Sequence, residues 1–86
     1  MVQREMTVTN PTGFHARPAA LLVAQATKSK SKVTISFTGK TINAKSMLKV
    51  LGGGIRKGAQ ITLTADGEDE QETLEALCLL IKNLPE

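Results

Sequence analysis

The residue with the clearest chemical potential in this sequence is His15, the one histidine among 86 residues. It lies immediately before a predicted helix, in the run Gly13-Phe14-His15-Ala16-Arg17-Pro18. The positive end of the helix dipole and Arg17 both disfavour an imidazolium, so the ring is expected to be neutral and nucleophilic. If it accepts a phosphoryl group, the free N–H groups of the helix start and Arg17 stabilise the new dianion. The pattern therefore predicts phosphoryl transfer through His15, with Arg17 as phosphate support.

Other chemistry at His15 has less support. The plainest alternative is a surface histidine that happens to precede a helix. No Cys, Asp or Glu lies at a ligand-like spacing from His15, so neither a metal nor another cofactor is expected. A Ser-His-Asp triad lacks both a nearby acid and a nucleophile elbow. Cys78, the single cysteine, excludes an internal disulfide and is interpreted as a small core residue.

Hydrophobic spacing predicts seven secondary-structure elements in the order βαββαβα. Strands are indicated where apolar residues alternate with polar ones, and helices where they recur at i, i+3, i+4 and i+7. The elements are a strand through Val2, Met6 and Val8, a helix from Ala16 to about Thr27, strands Val33–Phe37 and around Ile42, a helix Ser46–Leu51, a strand Ile61–Ala65, and a last helix with Leu74, Leu77, Cys78 and Ile81 on its core stripe. Short connections favour antiparallel pairing, so we expect an α+β fold with helices on one face of a four-stranded sheet.

The ends of the two later helices carry capping signals. Ser46 is a favoured N-cap residue, and Gly52-Gly53-Gly54 is expected to end the helix that follows it. The triplet lacks the Walker pattern of a phosphate-binding loop, which leaves the helix stop as the better interpretation. Asp69 and Glu72 have the spacing of a capping box at the start of the last helix.

Length and charge limit the class of protein. The chain suits a single domain, residues 1–86, without a membrane-spanning run of about 20 apolar residues or a signal peptide. Residues 1–60 carry ten Lys and Arg against one acid, or +9, whereas residues 61–86 carry one Lys against seven acids, or −6. Basic charge is compatible with nucleic acid, but Phe14 and Phe37 are the only aromatic residues that could stack on bases. An acidic protein surface or a phosphate suits the basic part better.

Three segments resemble the histidine-containing phosphocarrier (HPr) family of the bacterial phosphoenolpyruvate-dependent sugar phosphotransferase system. Thr12-Gly13-Phe14-His15-Ala16-Arg17-Pro18-Ala19 is similar to its active-site signature. Asn43-Ala44-Lys45-Ser46 is similar to its regulatory-serine segment, and Gly67-Glu68-Asp69-Glu70-Gln71-Glu72 to the stretch that opens its last helix. The similarity spans essentially the whole chain. One departure is Gly52-Gly53-Gly54, since relatives usually carry a larger residue in the middle of this stretch.

This resemblance implies both a fold and a function. The fold is an open-faced β-sandwich, with four antiparallel strands and three helices on one side. His15 would be phosphorylated on Nδ1 by phospho-enzyme I and would pass the phosphoryl group to a histidine of an EIIA domain, with Arg17 supporting the phosphate. The protein would be a cytoplasmic, monomeric carrier with a phosphohistidine intermediate, which does not itself turn over a small molecule.

Ser46 has two interpretations. As an N-cap its hydroxyl has a structural role worth about 1 kcal/mol. The resemblance also implies that Ser46 is phosphorylated by an ATP-dependent HPr kinase/phosphorylase. A catabolite-control transcription factor would then be a further partner of the chain. A phosphate at a helix start is electrostatically favourable, and it would weaken docking of acidic enzyme I.

The short helix after Ser46 carries Met47, Leu48 and Leu51, which either fill the core or remain partly exposed. A helix of barely two turns cannot bury its whole circumference, so one or two of them are expected to form a docking patch. The resemblance assigns partner contacts to Phe14, Lys45, Met47, Lys49 and Leu51, in addition to Arg17.

Two alternatives share the same fold. A co-repressor-type regulator would act through phosphorylated Ser46, but relatives of that type characteristically lack the active histidine, which is present here. A nitrogen-branch phosphotransferase paralogue would keep His15 and differ in its partners, and the Ser46 segment argues modestly against it.

Overall fold

The computed structural model describes residues 1–85 and contains the seven elements in the expected order. They are β1 (Val2–Thr7), α1 (Ala16–Thr27), β2 (Lys32–Phe37), β3 (Lys40–Asn43), α2 (Met47–Leu51), β4 (Gln60–Asp66) and α3 (Glu70–Lys82). The first strand is one residue shorter than the apolar alternation suggests. Val8 lies beyond its end but is fully buried, and its backbone bonds to Gly58 and Ala59.

The four strands form one antiparallel sheet in the order β1-β4-β2-β3. Register gives the sheet two different faces, because side chains alternate along each strand. One face carries polar rows such as Glu5, Thr62, Ser36 and Thr41, which stand opposite one another across all four strands. Leu63, Ile35 and Ile42 form a buried row on the other face.

The three helices cover the apolar face. α3 packs on β1 and β4, α2 contacts β3, and α1 contacts both other helices. On α3 the predicted core stripe is confirmed, with Leu74, Leu77, Cys78 and Ile81 all buried. The open polar face opposite these helices makes the domain an open-faced sandwich, and the predicted α+β class is confirmed.

The structure refines the prediction for α2. The hydroxyl of Ser46 accepts a hydrogen bond from the backbone N–H of Lys49 at 3.3 Å, which confirms the N-cap. The helix ends at Gly52, as predicted. Its buried residue is Val50, whereas Leu48 is 80% and Leu51 37% exposed, which confirms the expectation that one or two of the apolar residues of this helix remain exposed. A helix of five residues turns only part of its circumference towards the core, where Val50 is buried and Met47 is half-buried.

The predicted capping box at the start of α3 is also wrong. Asp69 is the N-cap residue, but its side chain makes no capping hydrogen bond to its own helix. Its carboxylate instead accepts bonds from the Ser31 hydroxyl and from the backbone N–H groups of Lys30 and Ser31, the latter two at 3.0 Å. The reciprocal side-chain bond comes from Glu70, which accepts from the N–H of Gly67 at 3.1 Å. The carboxylate of Asp69, which local spacing assigned to the cap of α3, therefore bonds to residues 30 and 31, which are distant in the sequence.

These bonds change the acidity of both carboxyl groups. The Ser31 hydroxyl and then the Lys30 N–H hold the pKa of Asp69 at about 2, below its ordinary value of 3.8. The Gly67 N–H, followed by the terminal ammonium of Met1, lowers the pKa of Glu70. No helix within residues 1–85 combines the length and the apolar character needed to cross a membrane.

Candidate functional site

His15 is the N-cap residue of α1. Its backbone is extended, with φ −125° and ψ 155°, and its side chain is exposed and makes no capping hydrogen bond. No acidic residue lies in the first turn of the helix. The backbone N–H groups at this helix start are therefore not used by the side chain of the N-cap residue, and the positive end of the dipole faces solvent beside an imidazole.

The residues after His15 define how the helix begins. Ala16 has a φ of 42°, in the left-handed region that a residue with a Cβ rarely adopts. Arg17 is exposed, whereas Pro18 is buried in the first turn and needs no backbone donor there. This strained entry holds His15 and Arg17 at the surface while Pro18 anchors the turn in the core.

The loop before His15 is fixed by close backbone packing. Gly13 has a φ of +65°, and a Cβ built on it would lie 2.5 Å from the carbonyl oxygen of Ile55. The next backbone N–H, that of Phe14, donates to the same oxygen at 3.0 Å. The side chain of Asn10 donates to the carbonyl of Gly13 at 2.8 Å. Glycine is required here because only a residue without a side chain allows the two backbone segments to approach this closely.

A pocket of about 420 Å³ opens beside His15. Its walls are formed by Pro11, Thr12, Phe14, His15, Leu51, Gly54, Ile55, Arg56 and Lys57. Two of the expected partner-binding residues, Phe14 and Leu51, are thus brought next to the histidine. Arg56 and Lys57 were not predicted as site residues. They lie about forty positions away in the sequence, and no local motif indicates that the chain returns to His15 there.

The other predicted site residues surround α2. Ser46 is half-buried at the N-cap, Met47 is half-buried against the core, and Lys49 is exposed. Lys45 is half-buried, and its Nζ donates to the carbonyl of Ser29 at 2.9 Å, so its ammonium already has a partner within the chain. Leu51 is 37% exposed. The exposed apolar surface of α2 is therefore Leu48 together with Leu51.

Phe14 differs from the other candidates because its side chain is only 2% exposed and belongs to the hydrophobic core. Its backbone bond to Ile55 and its buried ring hold the loop that presents His15. Partner contact through Phe14 stays a prediction, and little of the ring is available for it.

Residues 1–85 contain no group of three or more His, Cys, Asp or Glu side chains placed to hold a metal ion. What this site offers is one exposed imidazole, a helix start to which its N-cap side chain makes no hydrogen bond, and several cations. That arrangement suits an exposed nucleophile that receives an anionic group.

Comparison with known proteins places these features in a family. The family model described as the PTS HPr component phosphorylation site matches residues 2–83. The phosphocarrier protein HPr of Buchnera aphidicola is 43% identical over 84 residues, which cover 98% of this chain and 99% of that protein.

Solved structures agree with the sequence comparison. HPr-C-His from Thermoanaerobacter tengcongensis superposes with a TM-score of 0.93 at 39% identity, covering 95% of this chain and 92% of that one. HPr from Bacillus anthracis gives 0.88 at 40% identity, covering 92% and 94%. Crh of Bacillus subtilis, described as a catabolite repression protein that forms a swapped dimer, gives 0.77 at 41% identity over 100% and 99%. With its histidine at the start of α1 and relatives of the same kind along its whole length, the chain belongs to the HPr family of phosphocarriers of the phosphotransferase system.

Proposed function

We propose that His15 is the phosphoryl acceptor of this chain, loaded by phospho-enzyme I and unloaded to a histidine of an EIIA domain. The observation that carries the proposal is the position of His15: an exposed N-cap residue whose side chain makes no bond to the helix start. The alternative of a surface histidine near a helix by chance explains neither the strained residue that follows it nor the close-packed loop that precedes it.

The transfer requires a neutral imidazole with the lone pair on Nδ1 and the proton on Nε2. Nδ1 attacks the phosphorus atom, an N–P bond forms, and the bond between phosphorus and the donor atom of phospho-enzyme I breaks. The phosphoryl oxygens then lie near the N–H groups at the start of α1, with Arg17 as the supporting cation. On release, the N–P bond at His15 breaks and the same group forms a bond to the acceptor histidine.

Exposure of the site is consistent with a carrier. A buried anion held by several donors would be difficult to release, because its ion pairs are strong where water is excluded. His15, Ala16 and Arg17 are all exposed, so solvent screens the contacts to the phosphoryl group. The exposed leucines of α2, one of which lines the pocket beside His15, supply an apolar docking surface for the two partner proteins.

The test is phosphoryl transfer with purified components. On incubation with phosphoenolpyruvate and enzyme I, the wild-type chain should gain one acid-labile, base-stable phosphate, and His15→Ala should gain none. A thermal unfolding curve of His15→Ala provides the control for folding, and it should match that of wild type because no capping bond is lost. Undiminished labelling of folded His15→Ala, or no labelling of wild type, contradicts the proposal.

We also propose that Ser46 is a phosphorylation site for an HPr kinase/phosphorylase, through which a catabolite-control transcription factor could recognise the chain. Ser46 is half-buried, and its hydroxyl caps α2 through a 3.3 Å contact, which is longer than a typical N–H···O hydrogen bond. A phosphate there would replace a weak cap with a stronger anionic one.

Incubation with ATP and the kinase should add the mass of one phosphate to wild type and to His15→Ala, but none to Ser46→Ala. A mass gain that persists in Ser46→Ala contradicts this second proposal. The presence of His15 favours a carrier over a regulator that acts through Ser46 alone, and a nitrogen-branch role would appear as transfer to different acceptor domains.

A further inference from the structure

We infer that Arg56 is a second phosphate-contact residue, which binds the phosphoryl group on His15 from the side of the pocket. This inference rests on the proposed function, because it names a ligand of the group that His15 is proposed to carry. The site residues expected from the sequence include one phosphate-supporting cation, Arg17, which lies on α1 itself. Arg56 comes from a different part of the chain and lines the same pocket as His15.

The backbone at residue 56 is fixed relative to His15. A Cβ on Gly13 would meet the Cα of Arg56 at 2.6 Å, and Phe14 donates its N–H to Ile55. On the other side, the N–H of Gly58 donates to Val8 at 2.7 Å. Hydrogen bonds on both flanks therefore leave the loop little freedom, and the Cα of Arg56 has a defined place beside the segment that carries His15.

The side chain of Arg56 is available for a ligand. It is exposed, and within residues 1–85 no ion pair or side-chain hydrogen bond engages its guanidinium. By contrast, the ammonium of Lys45 is held by the carbonyl of Ser29. Arg56 is therefore a cation on a fixed backbone that no described residue engages. The phosphoryl group on His15, with its two negative charges, is the counter-ion that it would bind.

Arg56 suits this contact better than its neighbour Lys57, which lines the same pocket. A guanidinium presents two parallel N–H donors that match two phosphoryl oxygens, whereas an ammonium acts as a point charge. The guanidinium is exposed, so its donors stay hydrated in the unphosphorylated chain and no desolvation penalty lowers the stability of that state.

The experiment measures the second ionisation of the phosphoryl group on His15. Each protein is phosphorylated chemically with phosphoramidate, whose P–N bond breaks with loss of ammonia as the N–P bond to the imidazole forms. The pH titration of the ³¹P chemical shift then gives the pKa of the phosphoryl group without enzyme I. Failure of enzyme I to label the chain, which bears on the proposed function, is thereby separated from failure of the contact itself.

Four proteins are compared: wild type, Arg56→Gln, Arg56→Lys and Lys28→Gln. Lys28 is exposed at the C-cap of α1, about 20 Å along the helix from His15, so Lys28→Gln removes the same charge far from the site. A bound guanidinium favours the dianion, so Arg56→Gln should raise the pKa of the phosphoryl group by about half a unit, or roughly threefold in the ionisation constant. Arg56→Lys should restore part of this shift, and Lys28→Gln should leave the pKa near the wild-type value.

The inference is overturned by a pKa in Arg56→Gln equal to that of wild type, by an equal shift in Lys28→Gln, or by the absence of a phosphohistidine at position 15 after treatment with phosphoramidate. A rise in the KM for enzyme I alone, with the ³¹P titration unchanged, would show that Arg56 contacts the partner protein and would also overturn it. Thermal unfolding of each variant establishes that the fold is intact, as expected for an exposed side chain without partners.

Discussion

The N-termini of α1 and α3 are positioned by different means. Before α1, backbone packs on backbone: Gly13 lies against Ile55 and Arg56, and the N-cap side chain of His15 is not used for capping. At α3, side chains hold the helix start, since Asp69 accepts three hydrogen bonds from residues 30 and 31. Glu70 and Glu72 also occupy its first turn, where α1 has no acid.

This difference fits the phosphoryl site proposed at the start of α1. Carboxylates complement the dipole of α3 permanently, which stabilises that helix but would repel a second anion. The first turn of α1 has no acid, and under the proposed function the negative charge there is that of the phosphoryl group, present only while His15 is phosphorylated. The first turn of α1 contains no acidic residue, and the close-packed backbone of the loop before it contributes to fixing its place.

The largest effect is expected from Gly13→Ala, which disturbs the backbone packing of the loop before α1. The new Cβ would meet main-chain atoms at 2.5 and 2.6 Å at a positive φ, so the loop must move, and we expect a loss of about 3 kcal/mol in the free energy of unfolding. Gly39→Ala is the matched control, since its φ is +79° but nothing lies within 4 Å, and it should lose only about 1 kcal/mol. Urea unfolding measures both, and equal losses would show that close packing contributes nothing at Gly13.

A smaller effect of opposite sign is expected from His15→Asp, which gives α1 the kind of group that α3 already has. An aspartate at the N-cap places a negative charge at the positive end of the helix dipole, so stability should rise by about 1 kcal/mol while phosphoryl transfer is abolished. For a domain of this size that corresponds to a rise of about 4–8 °C in Tm. His15→Ala serves as the control without a carboxylate. A Tm for His15→Asp at or below that of His15→Ala would mean that a negative charge at this N-cap does not stabilise α1.

The smallest effect is expected in the pH dependence of the free energy of unfolding. It comes from Asp69 at the start of α3. The folded pKa of Asp69 is about 2, below its ordinary value of 3.8, so the unfolded chain binds more protons between these values. The stabilisation from Asp69 is therefore complete above about pH 4 and is lost as the pH falls towards 2. Asp69→Asn should be less stable than wild type at neutral pH and should show a flatter decline below pH 4.

The control for this experiment is Glu72→Gln, which removes an exposed carboxylate from the same first turn of α3. Chemical denaturation at a series of pH values between 2 and 7 provides the curves. If Asp69→Asn retains the full wild-type slope below pH 4, the contacts to residues 30 and 31 do not control the acidity of Asp69.

Much of the fold was predictable because its signals are local. The two apolar periodicities identify strands and helices, and Ser46 marks the beginning of α2. The sequence did not predict contacts for which a local pattern and a long-range partner compete for the same side chain. The spacing of Asp69 and Glu72 satisfied a capping box, but Ser31 and the N–H groups beside it provided better donors for that carboxylate. On α2, the sequence does not show which apolar residue is buried. The packing of the helix against the rest of the domain buries Val50.

The sequence by itself determined the order βαββαβα, the position of His15 at a helix start and the resemblance to phosphocarriers. Each of these is recognised from short runs of neighbouring residues, since the apolar periodicities, the helix-start signal and the three motifs are all local in the sequence. Only the tertiary structure decided that Arg56 lines the pocket of His15, that Phe14 is buried, and that β4 and β2 are the inner strands of the sheet. Such contacts join residues tens of positions apart, and their geometry follows from how the helices pack on the sheet, which local spacing does not specify.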